Sequence, residues 1–329
     1  MYTIQHCPCC GCLDSEATPA VVAPFLLEYA LRGTQATCRL MECRKCAFRF
    51  FDTRLDDAEI HRLYEGYRGE TYFNVRNRHE FWYTRKVNAD LGEDPQILDG
   101  RRNSLTAFLS AHLDLAALDS VLDYGGDKGQ LLPEGIGKQK YVFDISGLES
   151  VSGVERITDA KALGGMGFDL VILSHILEHC SEPGQMLQEV KPLGKNGGSM
   201  LYVEVPYERY NLRLTGGGNL YGGYLRWLMN IPFLARILDF YSTAFRVKFN
   251  FIPPLGFAKL HEHINFFEVD SLRRLLERGG FEVIACERRP FASTIGSVEV
   301  ICALARMGNE LEDPMEKNGH SEKQTAGLP

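Results

Sequence analysis

Apolar positions along this chain recur with two different periods. Short apolar runs, each bounded by turn residues, read as buried strands: Val121-Leu122 closing on Asp123, Lys140 to Asp144, Val154 to Ile157, Phe168 to Ser174, and Ser199 to Pro206. Between and before them the period lengthens to that of a helix. Asp56 to Tyr67 puts Ile60, Leu63 and Tyr64 on one face, and Leu105 to Leu118 is a further amphipathic helix. Pro183, Met186, Leu187 and Val190 mark another. Val269, Leu272, Leu275 and Leu276 mark a last one, stopped at Gly279-Gly280. Phe281 to Cys286 and Ser297 to Ala305 read as two final strands. Strands alternating with helices predict a doubly wound α/β domain.

The first of these strands carries the chemistry. Asp123-Tyr124-Gly125-Gly126-Asp127-Lys128-Gly129 is a buried strand that ends in an acid and turns sharply into a helix. Glycines suit such a turn, because the backbone there takes conformations a Cβ forbids and a ligand approaches the main chain closely. N–H groups at the start of the following helix then favour a polar or anionic group. The second strand also closes on an acid, Asp144, with Ile145 beside it. A carboxylate at that place holds ribose hydroxyls, so the pair of strands describes a nucleoside cofactor site.

The glycine turn resembles the first motif of class I S-adenosylmethionine-dependent methyltransferases, D-x-G-x-G-x-G, with Asp127 in place of the middle glycine. Phe168 to His179 resembles their fourth strand and the segment after it, and Lys195 to Pro206 their glycine turn and fifth strand. The resemblance covers roughly Asp119 to Met307. It implies a Rossmann-like, seven-stranded sheet whose last strand runs antiparallel, and S-adenosylmethionine as cofactor. It further implies that Asp123, Gly125, Gly126, Gly129 and Asp144 with Ile145 line the cofactor site. Asp159, with Ala160, would face the adenine amino group or cap a helix, and Ser174 and His175 would lie beside the cofactor. Arg76 or Arg78 suits the methionine carboxylate as a bidentate partner, with an inter-lobe clasp of ion pairs and rings as the alternative.

Composition narrows the class. The chain has 329 residues and a net charge of −7, with no dense basic stripe, which argues against a protein whose affinity rests on nucleic-acid phosphates. No apolar run of secretory type begins the chain, so a cytoplasmic protein is expected. Seven of the ten cysteines precede residue 47. They include two C-x2-C knuckles, and Cys7, Cys10, Cys43 and Cys46 can complete a tetrahedron around a structural zinc ion. Cys9 and Cys12 form a competing pair. A zinc lobe ahead of a methyltransferase domain also resembles a group of bacterial sugar methyltransferases.

These readings divide the chain into a zinc lobe at 1–52, a helical linker at 53–118, a methyltransferase domain at 119–307 and a disordered tail at 308–329. Tyr207 to Ile264 reads as an insertion, with Gly216 to Gly218 and Gly222-Gly223 as hinges. Its apolar run Leu225 to Tyr241 is broken by Arg226, Asn230, Pro232, Arg236 and Asp239, so it does not span a membrane. A lid or a homodimer surface is the preferred reading over a patch lying against a membrane. His175, Glu178 and His179 invite a metal reading, but spacing offers no third ligand besides the acid between them, and His179 is expected to order a substrate-side loop. His261-Glu262-His263 supplies the best general-base candidates, because imidazole suits removal of a hydroxyl proton. The expected function is methyl transfer to a hydroxyl of a small-molecule acceptor, a sugar or glycan precursor. C-methylation of a keto-sugar and a catalytically silent interaction module are the alternatives, and a nicotinamide dehydrogenase is more distant.

Overall fold

The computed structural model describes residues 1–308 apart from 91, 196–197, 209–218 and 294–295. The Gly216 to Gly218 hinge, Asn196-Gly197 and the tail from 309 onward lie outside the described residues.

The N-terminal lobe opens with an antiparallel meander of β1 (Ser15–Val22), β2 (Thr37–Cys43) and β3 (Arg49–Phe51). A capping box starts α1 (Asp57–Tyr64): Asp56 Oδ1 accepts from Glu59 N at 3.0 Å, and Glu59 Oε2 accepts from Asp56 N at 2.9 Å. The segment rich in Arg and aromatic residues forms α2 (Glu70–His79). α3 (Pro95–Ser110) begins ten residues before the predicted Leu105 and stops before the predicted Leu118. Its start is set by a cap and not by apolar spacing: Asp94 Oδ1 accepts from Gln96 N at 2.9 Å, and Pro95 takes the first helical position.

Seven further strands form one sheet. β4 (Ser120–Tyr124), β5 (Gln139–Phe143), β6 (Glu155–Ile157), β7 (Leu170–Ser174) and β8 (Met200–Pro206) are joined by parallel pairings. α4 (Pro183–Val190) connects the last two of these. An inserted region then supplies α5 (Asn219–Met229), α6 (Pro232–Phe249), β9 (Lys259–Leu260) and β10 (Asn265–Phe266). After α7 (Val269–Arg278), β11 (Phe281–Ser293) and β12 (Gly296–Met307) complete the sheet. Its order is β11-β12-β8-β7-β4-β5-β6, with β12 antiparallel to both neighbours, as expected of the last strand.

Strand β4 therefore lies where the winding reverses, and its side chains alternate between two cores. Val121 faces Leu105, Phe108 and Leu109 of α3. Leu122 belongs to a core shared with α4, α7 and the lobe residues Phe48 and Phe50. The lobe is not confined to residues 1–52. β9 pairs parallel with β1 and β10 antiparallel with β3, so its five-stranded sheet is completed by residues from the insertion. Helix α5 packs Tyr221, Leu225 and Leu228 over Val21. The insertion is thus anchored on the N-terminal lobe.

Candidate functional site

The glycine turn sits at the carboxyl end of β4, beside the switch point where ligands of such sheets bind. Gly125 takes φ +74°, and a Cβ there would stand 2.3 Å from Ile176 Cδ1. At Gly126 a Cβ would stand 2.1 Å from the Asp123 carboxyl group. Asp127, which replaces the pattern's middle glycine, adopts the same left-handed backbone at φ 57°. Its N–H donates to Asp144 Oδ2 at 2.9 Å, tying the turn to the tip of β5, while Ser146 N donates to Asp144 Oδ1 at 2.7 Å. Ile145 next to it is exposed. Asp123 is fully buried, and neither carboxylate oxygen has a hydrogen-bond partner among the described residues. Burial pushes its pKa up to about 7, against the pull of Arg101. A close-approach cradle lined by an unpartnered acid fits a ligand with cationic or hydroxyl donors.

At the ends of β7 and β8 a polar knot forms. Arg101, reaching across from α3, donates to Ser174 Oγ at 2.8 Å and Glu204 Oε1 at 2.9 Å. Ser174 Oγ donates to the same Glu204 oxygen at 3.0 Å, and Tyr202 holds the other oxygen at 2.9 Å. Burial opposes the charge on Glu204, but His175 and Arg101 hold its carboxyl well below the usual range. His175 takes φ 58° and lies 3.3 Å from both Glu178 Oε1 and Glu204 Oε1. The short turn Ala160–Leu163 is capped by Asp159, whose Oδ1 accepts from Lys161 N at 2.9 Å, and both Asp159 and Ala160 are exposed.

Three predicted site residues belong instead to a buried clasp between α2 and the segment around β9. Arg76 bonds Glu80 at 2.9 Å and the Tyr72 hydroxyl at 2.6 Å, lies 3.3 Å from Glu262, and covers the Tyr83 ring. Its guanidinium is committed to the protein and not to a cofactor carboxylate. Arg78, the other candidate, pairs with Glu28 at 3.0 Å. His261 stacks on Phe25 and lies 3.2 Å from Glu80, which Lys259 also contacts at 2.5 Å. The Glu262 carboxylate accepts from Tyr72; burial resists its charge, yet Arg76 holds the acid down to about 2. His261 and Glu262 therefore hold the clasp.

His263 is placed differently. Its Nδ1 lies 2.5 Å from Glu208 Oε1, just past the end of β8. Burial works against the imidazolium, but the Glu208 carboxylate outweighs it and holds His263 up to about 9. The His179 ring meets His263 edge-on at 4.7 Å. His179 Nδ1 lies 3.0 Å from the Glu262 carbonyl, an acceptor only, so Nδ1 carries the proton and Nε2 is bare. Burial keeps this ring neutral. Glu178 is fully buried, and neither oxygen has a hydrogen-bond partner among the described residues. Donor atoms of Glu178, His179 and His263 all lie within 4.8 Å of one another, a set that takes His263 from the segment before β10 in place of the expected His175. Sequence reading also missed Arg101 and Glu208. Neither lies in a recognisable motif, and only folding brings them to the strand ends.

The cysteines Cys7, Cys10, Cys43 and Cys46 converge, with one sulfur of each within 4.8 Å of the others. Cys7 and Cys46 sulfurs stand 3.7 Å apart, Cys10 and Cys43 3.5 Å. Four sulfurs bound to one zinc at about 2.3 Å stand about 3.8 Å apart, so the set fits that ion. Cys9 lies outside that set, its thiol donating to Ser271 O at 2.9 Å.

The strand order and the glycine cradle at its switch point define a cofactor-binding α/β domain. Residues 96–285, more than half of the chain, match the family described as a methyltransferase domain, and the chain belongs to that family. It is a class I S-adenosylmethionine-dependent methyltransferase. Among solved structures it is similar to the 1,6-didemethyltoxoflavin-N1-methyltransferase of Burkholderia thailandensis (14% identity, covering 80% of this chain and 96% of that one, TM-score 0.42). It is also similar to the N-methyltransferase NodS of Bradyrhizobium japonicum (14%, 65% and 97%, TM-score 0.37). A third similar structure is a SAM-dependent methyltransferase of Archaeoglobus fulgidus (16%, 64% and 96%, TM-score 0.37). No curated protein matches the chain.

Proposed function

We propose that this enzyme methylates a hydroxyl of a small-molecule acceptor, a sugar or glycan precursor, with His263 as the base. The observation that carries the reading is the His263–Glu208 pair at the carboxyl edge of the sheet. A carboxylate on Nδ1 fixes the ring and steadies the imidazolium, leaving Nε2 to take the acceptor's proton. Bound S-adenosylmethionine supplies the methyl group as an electrophile on its sulfonium. Asp144 would hold the ribose hydroxyls with its remaining lone pairs, Ile145 and Ala160 would border the base, and Asp159 would face it. Gly125, Gly126 and Gly129 would let the methionine end approach, with Asp123, Ser174 and His175 around it. The four-cysteine zinc would be structural, since its ligands leave no open position. The sugar assignment is supported by the resemblance of the zinc lobe and the His-Glu-His segment.

Calorimetric titration of zinc-replete protein with S-adenosylmethionine, its demethylated product and NAD tests the cofactor half. Binding of the first two and not NAD is expected; no binding of any would favour a silent module. Screening nucleotide sugars for methyl transfer tests the acceptor half. His263→Ala is expected to lower turnover by about 100-fold or more while leaving S-adenosylmethionine affinity unchanged. Unchanged turnover overturns the base assignment. The buried Glu178 carboxylate, which accepts no hydrogen bond among the described residues, favours one second reading, a divalent cation held by Glu178, His179 and His263. Turnover abolished by a chelator and restored by a cation, with the cysteine zinc retained throughout, would establish it.

A further inference from the structure

The outer faces of α5 and α6 are apolar. Nine of the seventeen large apolar side chains exposed among the described residues fall between 220 and 255. On α6, Ala235, Asp239 and Ser242 face the molecule. Phe233, Ile237, Phe240 and Val247 recur at helical spacing on the opposite side, where Phe233 is 75% exposed and Val247 62%. On α5, Leu220 and Trp227 repeat the pattern, with Leu220 91% exposed, and Ile231 follows in the connection to α6. A solvent-facing stripe of this kind on two successive helices marks an interaction surface.

Charge selects the occupant. Residues 219–250 carry Arg226, Arg236, Arg246 and Lys248 against Asp239 alone, a balance of +3 within a chain of net −7. Asp239 is neutralised inward by Lys259 at 2.8 Å and Arg246 is paired with Glu208 at 3.1 Å, so the basic character of the hairpin rests on Arg226, Arg236 and Lys248. At 3.6 residues per turn, Arg236 and Lys248 stand about 60° to either side of the α6 stripe. Apolar residues flanked by basic ones are the pattern of a helix lying in the plane of a lipid interface, and aromatic side chains suit that depth. A second copy packed stripe to stripe would instead bring these like charges together around a two-fold axis. No helix among the described residues is long and apolar enough to cross a membrane.

We propose that the α5–α6 hairpin docks the enzyme on an anionic lipid surface. The apolar stripes enter the boundary between headgroups and acyl chains, and Arg226, Arg236 and Lys248 meet lipid phosphates. This goes beyond the methyl-transfer reading and does not rest on it.

Co-sedimentation of the full chain with phosphatidylcholine vesicles, with and without phosphatidylglycerol, tests the proposal. Binding to the anionic vesicles is expected, and about ten-fold less to the neutral ones or in high salt. Phe233→Asp combined with Phe240→Asp, two exposed positions, is expected to stay in the supernatant with an unchanged melting curve. The chain has two tryptophans. In a Trp82→Phe background Trp227 alone reports, and its emission is expected to shift to the blue on anionic vesicles. Sedimentation that ignores lipid charge or the double substitution overturns the proposal. So does a concentration-dependent dimer, seen by light scattering, that the double substitution dissolves while vesicles have no effect.

Discussion

His263 and Glu208 show how one pairing sets the chemistry of a site. With its pKa held up to about 9, His263 is charged at neutral pH and gains its accepting lone pair only as pH rises. Glu208→Gln removes the carboxylate and is expected to move the acid limb of the kcat/KM profile down by about two pH units, which a rate profile reads directly. The histidine itself was legible in the sequence, because a His-Glu-His run ahead of a helix stands out. Glu208 was not legible, since an acid after a strand carries no signal until the partner arrives from beyond the insertion. The same holds for Arg76, whose side chain suits an anionic ligand in sequence but is enclosed by Glu80, Tyr72 and Glu262 once α2 packs. Asp127 departs from the family pattern in residue type but not in backbone, because aspartate tolerates the left-handed conformation better than most residues.

Elements were predicted best where the start signal and the apolar period agree. α1 has both, and Asp56→Ala is expected to lower the denaturation midpoint, read by chemical denaturation. The Met1 ammonium, 3.1 Å from Asp56 and 2.7 Å from Glu59, reinforces that helix start. α3 misled because only its second half keeps an apolar face, while the cap that starts it lies a full turn and more upstream. β9 and β10 have two residues each, too short to show any period, and they form because the lobe's sheet offers them edges.

At the scale of the molecule the N-terminal lobe and the methyltransferase sheet share one core. Cys7, Cys43 and Cys46 pack with Phe267, Leu272 and Leu275, so if the four cysteines hold zinc, a chelator is expected to lower the melting temperature of the whole chain and not of the lobe alone, as calorimetry will show. Several buried groups make stability depend on pH. Asp123, raised to about 7, binds its proton more tightly folded than unfolded, so stability falls as pH climbs from about 4 to about 7. His263 adds stability below its unfolded value of 6.5 that disappears as pH passes about 9. Glu208 and Glu262, lowered to about 2, add stability above 4.5 that is lost as pH falls towards 2. Thermal melts from pH 3 to 9 check that profile. The sequence by itself determined the sheet, the glycine turn, the acid at the tip of β5 and the two knuckles, because each depends on neighbours within a few residues. Only the tertiary structure decided which histidine meets a carboxylate, which arginine is enclosed and what faces outward on α6. Those depend on segments distant in sequence, whose meeting no local period records.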